Sequence, residues 1–184
     1  GTRGSKVALT QTGMVVEALR AKHPGLTIQI VEIRTTGDKK QGTPRDAQSD
    51  KRDWIHELEL ALQNNEIDLA VHSGKDIPSE IAPGTTLSSV LARATPFDLF
   101  IPQQSLATPL RPRSFLELPL GAIVGTASLR RRAQLLRVRP DLVIQEHRGN
   151  VPTRLDKLVA SPEMAGIVLA AAGIERLDII RARS

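Results

Sequence analysis

The chain has 184 residues, of which 40% are apolar, and it carries a formal net charge of +5. Its length fits one ordinary domain or two small ones, and the absence of cysteine excludes disulfides, thiolate metal sites and cysteine nucleophiles. One tryptophan, three phenylalanines and no tyrosine disfavour single-stranded nucleic-acid binding, while the basic charge favours anionic partners.

Apolar spacing in the first half of the chain predicts helices and strands in turn. A helix is expected over residues 8–23, ended by Pro24 and Gly25, and a strand over residues 26–33, where apolar residues alternate. Residues 34–53 are polar, and a connection of that length predicts a mobile or functional loop. The remaining elements expected in this half are a helix beginning at Trp54 and strands over residues 67–71 and 86–91.

The second half of the chain shows the same alternation. Strands are expected over residues 97–101, 122–124, 142–145 and 166–170, and helices over residues 129–137, 151–159 and 171–177. This order predicts an α/β class with largely parallel pairing. Residues 94–96 are a candidate crossover between a first lobe, residues 1–94, and a second lobe, residues 95–184. We expect the chain end to return towards the first lobe.

Arginines cluster at two predicted strand-to-helix junctions of the second half. Arg130 and Arg131 open one helix, Arg148 ends a strand, and Arg154 lies in the first turns of the next helix. Cations at a helix N-terminus oppose the helix dipole, so a bound anion explains them better than local stability does. Carboxyl ends of parallel strands meet at one edge, where ligands bind, and the arginine fork suits carboxylates and phosphates. The ligand is therefore expected to carry several negative charges.

Two clusters of polar residues stand out in the first half. Residues 2–5, Thr-Arg-Gly-Ser, precede the first helix and predict an anion site on free backbone N–H groups, with a simple N-cap and a surface arginine as the alternative. After an apolar strand, Ser73, Lys75 and Asp76 offer a cation for carboxylates and a carboxylate for proton transfer, with a solvated charge pair as the alternative. The four histidines lack metal-ligand spacing, so we expect no metal site.

These clusters, in this order, resemble the motifs of the porphobilinogen deaminase family, also called hydroxymethylbilane synthases. The family carries Thr-Arg-x-Ser, Thr-x-Gly-Asp, Val-His-Ser-x-Lys-Asp, Gly-Thr-x-Ser-Leu-Arg-Arg and Arg-Gly-Asn-x-x-Thr-Arg-Leu. In this chain the five motifs stand at residues 2–5, 35–38, 71–76, 125–131 and 148–155. The resemblance runs through nearly the whole chain, and five motifs in register make it specific.

The resemblance implies a transferase of porphyrin and haem biosynthesis. The family joins porphobilinogen units head to tail into a linear tetrapyrrole and releases ammonia. By resemblance, Asp76 is the catalytic carboxylate, which would stabilise the azafulvene cation left when ammonia departs. The residues implied to hold carboxylates of substrate, cofactor and growing chain are Arg3, Ser5, Ser73, Lys75, Thr126, Ser128, Arg130, Arg131, Arg148, Gly149 and Arg154. Asp38 and Lys51 are expected to contribute from the long loop.

The family builds its product on a dipyrromethane cofactor, attached to a cysteine in a third, C-terminal domain. This chain has no cysteine, so covalent attachment within it is impossible, and we expect the third, cofactor-carrying domain to be absent from this chain. Two further departures are Gly74, where a methionine is common, and residues 49–59, which keep Lys51 but lack the family's glycines and second lysine.

The fold implied by the resemblance is a pair of α/β lobes, like those of periplasmic binding proteins, with a central anion-binding cleft. The alternative function is a non-catalytic binding module for pyrrole carboxylates or other small polyanions. A missing cysteine favours that module if the chain is complete, whereas the Lys75–Asp76 pair favours the enzyme. We expect porphobilinogen as the partner, no nucleic acid, no membrane, a monomer and a cytoplasmic location.

Overall fold

The computed structural model describes residues 1–39, 51–88, 91–103, 112 and 114–178. The chain forms two units, Gly1–Arg93 and Ala94–Ser184. The predicted lobes, 1–94 and 95–184, stay a prediction as domains. So does the return of the chain end towards the first lobe, because residues 179–184 lie outside the described residues.

The first unit begins with its longest helix, α1, which spans Lys6–Lys22. Ser5 starts it as N-cap, since its hydroxyl accepts a hydrogen bond from the Ala8 N–H at 3.3 Å. Thr12 and Val16 are its buried residues, and the helix stops two residues before Pro24, which cannot continue a helix. The predicted helix over residues 8–23 is thus confirmed, with both ends shifted slightly towards the N-terminus.

Two further helices lie in the first unit. α2 is a single turn, Thr36–Lys39, inside the segment predicted to be a long loop, so that prediction is wrong at this point. A 3₁₀ turn, Lys51–Trp54, leads into α3, His56–Gln63, which packs through buried Leu58 and Ala61. Residues 40–50, the centre of the predicted mobile loop, lie outside the described residues.

The strands predicted for the first unit are wrong. Residues 26–33 and 67–71 form no strand, and neither do residues 86–88 and 91 of the predicted strand over residues 86–91. The described backbone of these segments pairs through a parallel bridge between Thr2 and Glu32 and through a hydrogen bond from the Val71 N–H to the Gly1 carbonyl at 3.0 Å. The alternation of apolar residues over residues 26–33 predicted a strand with one buried face, but the apolar side chains of this segment are not buried. Ile30, for example, is 47% exposed.

The second unit contains one four-stranded sheet in the order β1-β4-β2-β3. The strands are β1, Asp98–Pro102; β2, Ile123–Gly125; β3, Val143–Gln145; and β4, Met164–Ala170. β2 pairs in parallel with β3 and β4, whereas β1 runs antiparallel to β4. A register shift interrupts the β2–β4 ladder between Ile123 and Val124. The helices of this unit are α4, Leu129–Val138; α5, Val151–Val159; and α6, Ala171–Arg176.

The core of the second unit lies on both faces of β4. Val168 belongs to an apolar cluster with Leu135 of α4, whereas Ile167 belongs to another with Leu155 of α5. Successive residues of a strand point to opposite faces, so the helices cover both. A continuous apolar run is what a strand buried on two faces requires, and β4 reads Met-Ala-Gly-Ile-Val-Leu-Ala.

The described residues therefore confirm a mixed α/β fold with largely parallel pairing. The predicted elements of the second unit recur within one or two residues at each end, and α5 has the predicted bounds. Because β2, β3 and β4 run in parallel, their carboxyl ends meet at one edge of the sheet. The turns that follow β2 and β3 at this edge lead into α4 and α5, whose first turns carry Arg130, Arg131 and Arg154.

Candidate anion-binding site

The turn after β2 is built from small hydroxyl residues that satisfy backbone groups. The Thr126 N–H donates to the Gln145 carbonyl at 2.9 Å, which ties this turn to the end of β3. Its side-chain oxygen accepts from the Ser128 N–H at 3.2 Å, and the Ser128 hydroxyl accepts from the Arg131 N–H at 3.4 Å. Ser128 is thus the N-cap of α4, and both hydroxyl groups already have backbone partners in this structure.

The two arginines that open α4 have different surroundings. Arg130 is exposed on the helix surface. Arg131 is largely buried and reaches Asp98 at the start of β1, with Nε donating to Oδ2 at 2.8 Å and Nη2 to Oδ1 at 2.6 Å. Its Nη1 donates to the Val168 carbonyl of β4 at 3.2 Å. Arg131 therefore links α4 to two strands as well as lying at the predicted edge.

The turn after β3 holds Arg148 in a similar way. Its Nε donates to Glu146 Oε1 at 2.6 Å, and its carbonyl accepts from Lys157 Nζ at 3.1 Å. Gly149 follows with a backbone φ of 125°, which residues other than glycine rarely adopt. Asn150 occupies the N-cap position of α5 without a side-chain capping bond, and Pro152 lies in the first turn of that helix.

Arg154 has no acidic partner among the described residues. Its Nε donates to the Gly149 carbonyl at 2.7 Å, and no carboxylate of the described part of the chain pairs with it. Burial lowers the pKa of its guanidinium below its ordinary value, and the positive charges of Arg131 and Arg148 lower it further. Arg131 and Arg148 are therefore close enough to Arg154 to disfavour its positive charge, and no acid of the described residues pairs with Arg154 to offset this.

His147 supports this cluster from the core. It is 5% exposed, and its Nε2–H donates to the Arg154 carbonyl at 2.8 Å. Burial lowers the pKa of the imidazole, against the opposing effect of this hydrogen bond, and the charges of Arg154 and Lys157 lower it further. The ring is therefore neutral near pH 7 and does not add to the positive charge.

In the first unit, Arg3 is held between an acid and an aromatic ring. Its Nη2 pairs with Asp38 Oδ1, and its Nε donates to the same carboxylate, at 3.1 Å from Oδ2. The guanidinium carbon lies 4.4 Å from the centroid of the Trp54 ring, a cation–π distance. Burial raises the pKa of Asp38, but hydrogen bonds from Arg3 and Thr35 outweigh it and bring the pKa below 3.8. The Asp38 carboxylate is thus charged near neutral pH.

The predicted catalytic residue lies in a short turn of the same unit. Lys75 and Asp76 belong to a 3₁₀ turn, Gly74–Asp76, in which Lys75 is exposed and Asp76 partly buried. Burial lowers the pKa of nearby His72, while the charge of Asp76 raises it and that of Arg3 lowers it. Asp76 and Arg3 therefore both lie near this imidazole. Ser73 is turned towards α1, where its hydroxyl contacts Gln11 Oε1 at 2.6 Å.

The structure thus groups the predicted residues within each unit. Arg131, Arg148 and Arg154 come together in the second unit, with Thr126, Ser128 and Gly149 shaping the turns around them. In the first unit Arg3 lies with Asp38 and near the turn of Asp76, while Ser5 acts as a helix cap. The side chain of Lys51 lies outside what the structure describes.

Sequence reasoning missed the residues that hold these arginines: Asp98, Glu146, His147 and Trp54. Glu146 could have been suspected, because it lies two positions from Arg148. Asp98 is 33 positions from Arg131, and no local pattern connects them.

Neither a metal-binding cluster nor a membrane-spanning helix occurs among the described residues. No group of three or more histidine, cysteine, aspartate or glutamate side chains there could hold a metal ion. None of the helices described is long and apolar enough to pass through a bilayer.

Comparison with known proteins gives one consistent family. The family model described as "Porphobilinogen deaminase, dipyromethane cofactor binding domain" matches residues 1–183. Curated porphobilinogen deaminases are similar over 97% of this chain: 46% identical in Roseiflexus sp. strain RS-1 and 48% in Syntrophotalea carbinolica. The deaminase of Thermus thermophilus is 45% identical over the same share. The chain spans about half the length of these relatives, 54% to 56%.

Proposed function

Because this chain belongs to the porphobilinogen deaminase family, we propose that it binds pyrrole carboxylates. In the whole enzyme it would hold cofactor, substrate and growing product while porphobilinogen units are joined and ammonia is released. The observation that carries the proposal is Arg154, a guanidinium with no carboxylate partner among the described residues, close to Arg131 and Arg148. Such a cluster is stabilised when an anion enters it, because the ligand supplies the missing negative charge.

The hydrogen-bond donors of the three guanidinium groups favour a ligand that carries several carboxylates at separate positions. Each guanidinium can bind a carboxylate through two parallel N–H bonds, and the three lie in separate turns and helices at one sheet edge. Arg130 adds an exposed cation at the start of α4. Acetate and propionate groups on successive pyrrole rings suit such a distribution.

The first unit contributes the acid of the proposed reaction. Asp76 is partly buried and lies near His72. A carboxylate there stabilises the cation left on porphobilinogen when ammonia departs, which lowers the barrier rather than strengthening ground-state binding. Lys75 is exposed in the same turn and offers a cation to a substrate carboxylate. Arg3, fixed by Asp38 and Trp54, adds a second.

The same residues fit the dipyrromethane group that the family model names. Its carboxylates match the guanidinium groups of Arg131, Arg148 and Arg154, and the chain's lack of cysteine means that the covalent link would come from outside it. When bound, this group supplies the end to which pyrrole units are added. What this chain's residues do is neutralise and orient its carboxylates.

The remaining expectations belong to the same proposal. Two periplasmic-binding-protein-like lobes, residues 1–94 and 95–184, around a central cleft are supported by the family resemblance. A monomer in the cytoplasm that binds neither nucleic acid nor membrane is supported by the same resemblance and by the scarcity of aromatic residues.

Two measurements test the proposal. Titration of the 184-residue chain with porphobilinogen should show saturable binding that weakens with salt, since charged contacts are screened. A chimera in which this chain replaces the matching part of the Thermus thermophilus deaminase should release ammonia from porphobilinogen, and Asp76→Asn should abolish that release. Binding without release in the unsubstituted chimera would support the non-catalytic binding module instead. Absence of binding would refute the proposed function.

A further inference from the structure

We propose that Asp98 is a positioning residue for the anion site: it holds the Arg131 guanidinium in the orientation in which it receives a ligand carboxylate. This inference rests on the proposed function. Asp98 lies at the first position of β1, away from all the family motifs, and is bonded to Arg131 of α4 through both carboxylate oxygens.

The geometry fixes the plane of the guanidinium. Nε and Nη2 donate to the two oxygens of Asp98, at 2.8 Å and 2.6 Å, and Nη1 donates to the Val168 carbonyl at 3.2 Å. Three contacts to two different strands leave the fork no freedom to rotate about its terminal bonds. A guanidinium has five N–H groups, so two remain for a ligand, one on each terminal nitrogen.

The pair also differs from a simple surface salt bridge. The Arg131 side chain is 14% exposed and that of Asp98 is 35% exposed, so the acid faces solvent more than the arginine does. Burial lowers the pKa of Arg154, and the positive charge of Arg131 lowers it further even with Asp98 in place. Asp98 therefore orients Arg131 and balances part of its charge without removing it from the anion site.

A second arginine–aspartate pair in the same unit provides a matched control. Arg139 donates to Asp141 through Nε at 2.7 Å and Nη2 at 2.6 Å, and its side chain is also 14% exposed. The other donors of Arg139 bind the carbonyls of Phe115, Leu116 and Pro119. Arg139 is the C-cap of α4, so this pair lies at the other end of the helix from Arg131. Asp141→Asn breaks a pair of the same geometry outside the anion site.

The experiment compares Asp98→Glu, Asp98→Asn and Asp141→Asn with the unsubstituted chain. Asp98→Glu keeps the charge but moves the carboxylate by one methylene, and Asp98→Asn keeps the shape but loses the charge. Thermal unfolding verifies that each variant folds, and calorimetric titration with porphobilinogen gives the dissociation constant. NMR of the Arg131 Nε–H, assigned with Arg131→Lys, reports whether the fork is still held in the ligand-free state.

Both Asp98 variants should lose the slowly exchanging Arg131 Nε–H signal and bind porphobilinogen about three- to tenfold more weakly, the effect of leaving one long side chain to be ordered by the ligand. Asp141→Asn should retain the affinity of the unsubstituted chain. Tighter binding by Asp98→Asn would overturn the inference, because Asp98 would then act as a competitor for the ligand. Unchanged affinity in both Asp98 variants would make the pair merely structural. If the unsubstituted chain binds no porphobilinogen, the proposed function fails together with this inference.

Discussion

Replacement of Arg154 by methionine should separate the role of this residue in binding from its role in the fold. Methionine keeps an unbranched side chain of similar length but removes the charge and the donors. A ligand carboxylate that loses a charge-assisted hydrogen bond loses about 1.5–3 kcal/mol. The affinity for porphobilinogen should therefore fall roughly ten- to 150-fold, at about 1.4 kcal/mol for each factor of ten.

The same replacement should have little effect on stability. The hydrogen bond from Arg154 Nε to the Gly149 carbonyl at 2.7 Å is lost, which costs about 1 kcal/mol. Against this, the repulsion from Arg131 and Arg148, which together with burial lowers the pKa of Arg154, disappears. Because the two effects oppose each other, the free energy of unfolding should change by no more than about 1 kcal/mol.

Calorimetric titration and urea unfolding of the same samples measure both quantities. Arg137→Met is the matched control, since Arg137 is an exposed arginine in the last turn of α4 and its loss changes the net charge equally. Its affinity should equal that of the unsubstituted chain. If Arg137→Met weakens binding as much as Arg154→Met does, binding follows net charge and the argument from the arginine cluster is wrong.

Three further predictions follow from local contacts. Gly125→Ala should destabilise the protein by about 1–3 kcal/mol, because an added Cβ would lie 2.7 Å to 3.0 Å from three side-chain atoms, whereas Gly74→Ala, with nothing within 4 Å, should leave the melting temperature unchanged. A hydrogen bond from Arg139 lowers the pKa of Asp141 from 3.8 to about 2, so the stability that this carboxylate contributes is complete above about pH 4 and is lost as the pH falls through about 2. In acid unfolding, Asp141→Asn should therefore lose less stability between these pH values than the unsubstituted chain. Parallel unfolding curves would contradict the assignment. Burial lowers the pKa of His147 below 6.5, so unfolding, which lets the ring take up a proton, should become easier as the pH falls below about 6.5. Between pH 7.5 and 5, the free energy of chemical unfolding should decline less in His147→Gln than in the unsubstituted chain. An equal decline would refute this.

The second unit was predictable from sequence because its signals are local. Helical and strand periods are each read within a few residues, and α4 and α5 begin where the apolar spacing predicts. The proposal of an anionic ligand also came from local signals, since arginine at a helix start opposes the dipole wherever the helix lies. The five motifs added the family, which the match over residues 1–183 confirms.

The first unit was predicted less well because its backbone pairing is not local. Alternation in residues 26–33 resembles a strand, yet strand formation depends on a neighbour that offers a ladder of hydrogen bonds. Here the neighbouring segment around Thr2 contributes one bridge. Polar residues 34–39 resemble a loop, yet Glu57 of α3 accepts from the Thr36 N–H at 2.8 Å and stabilises a helical turn there.

The amino-acid sequence by itself determined which residues are proposed for the candidate site, because residue type and strand-to-helix position are local properties. Only the tertiary structure decided what each charge is paired with. Asp98 meets Arg131 across 33 positions and Asp38 meets Arg3 across 35, because the folded backbone brings separate elements together. For the same reason Arg154 has no acidic partner among the described residues, and its neighbours in the chain do not reveal this.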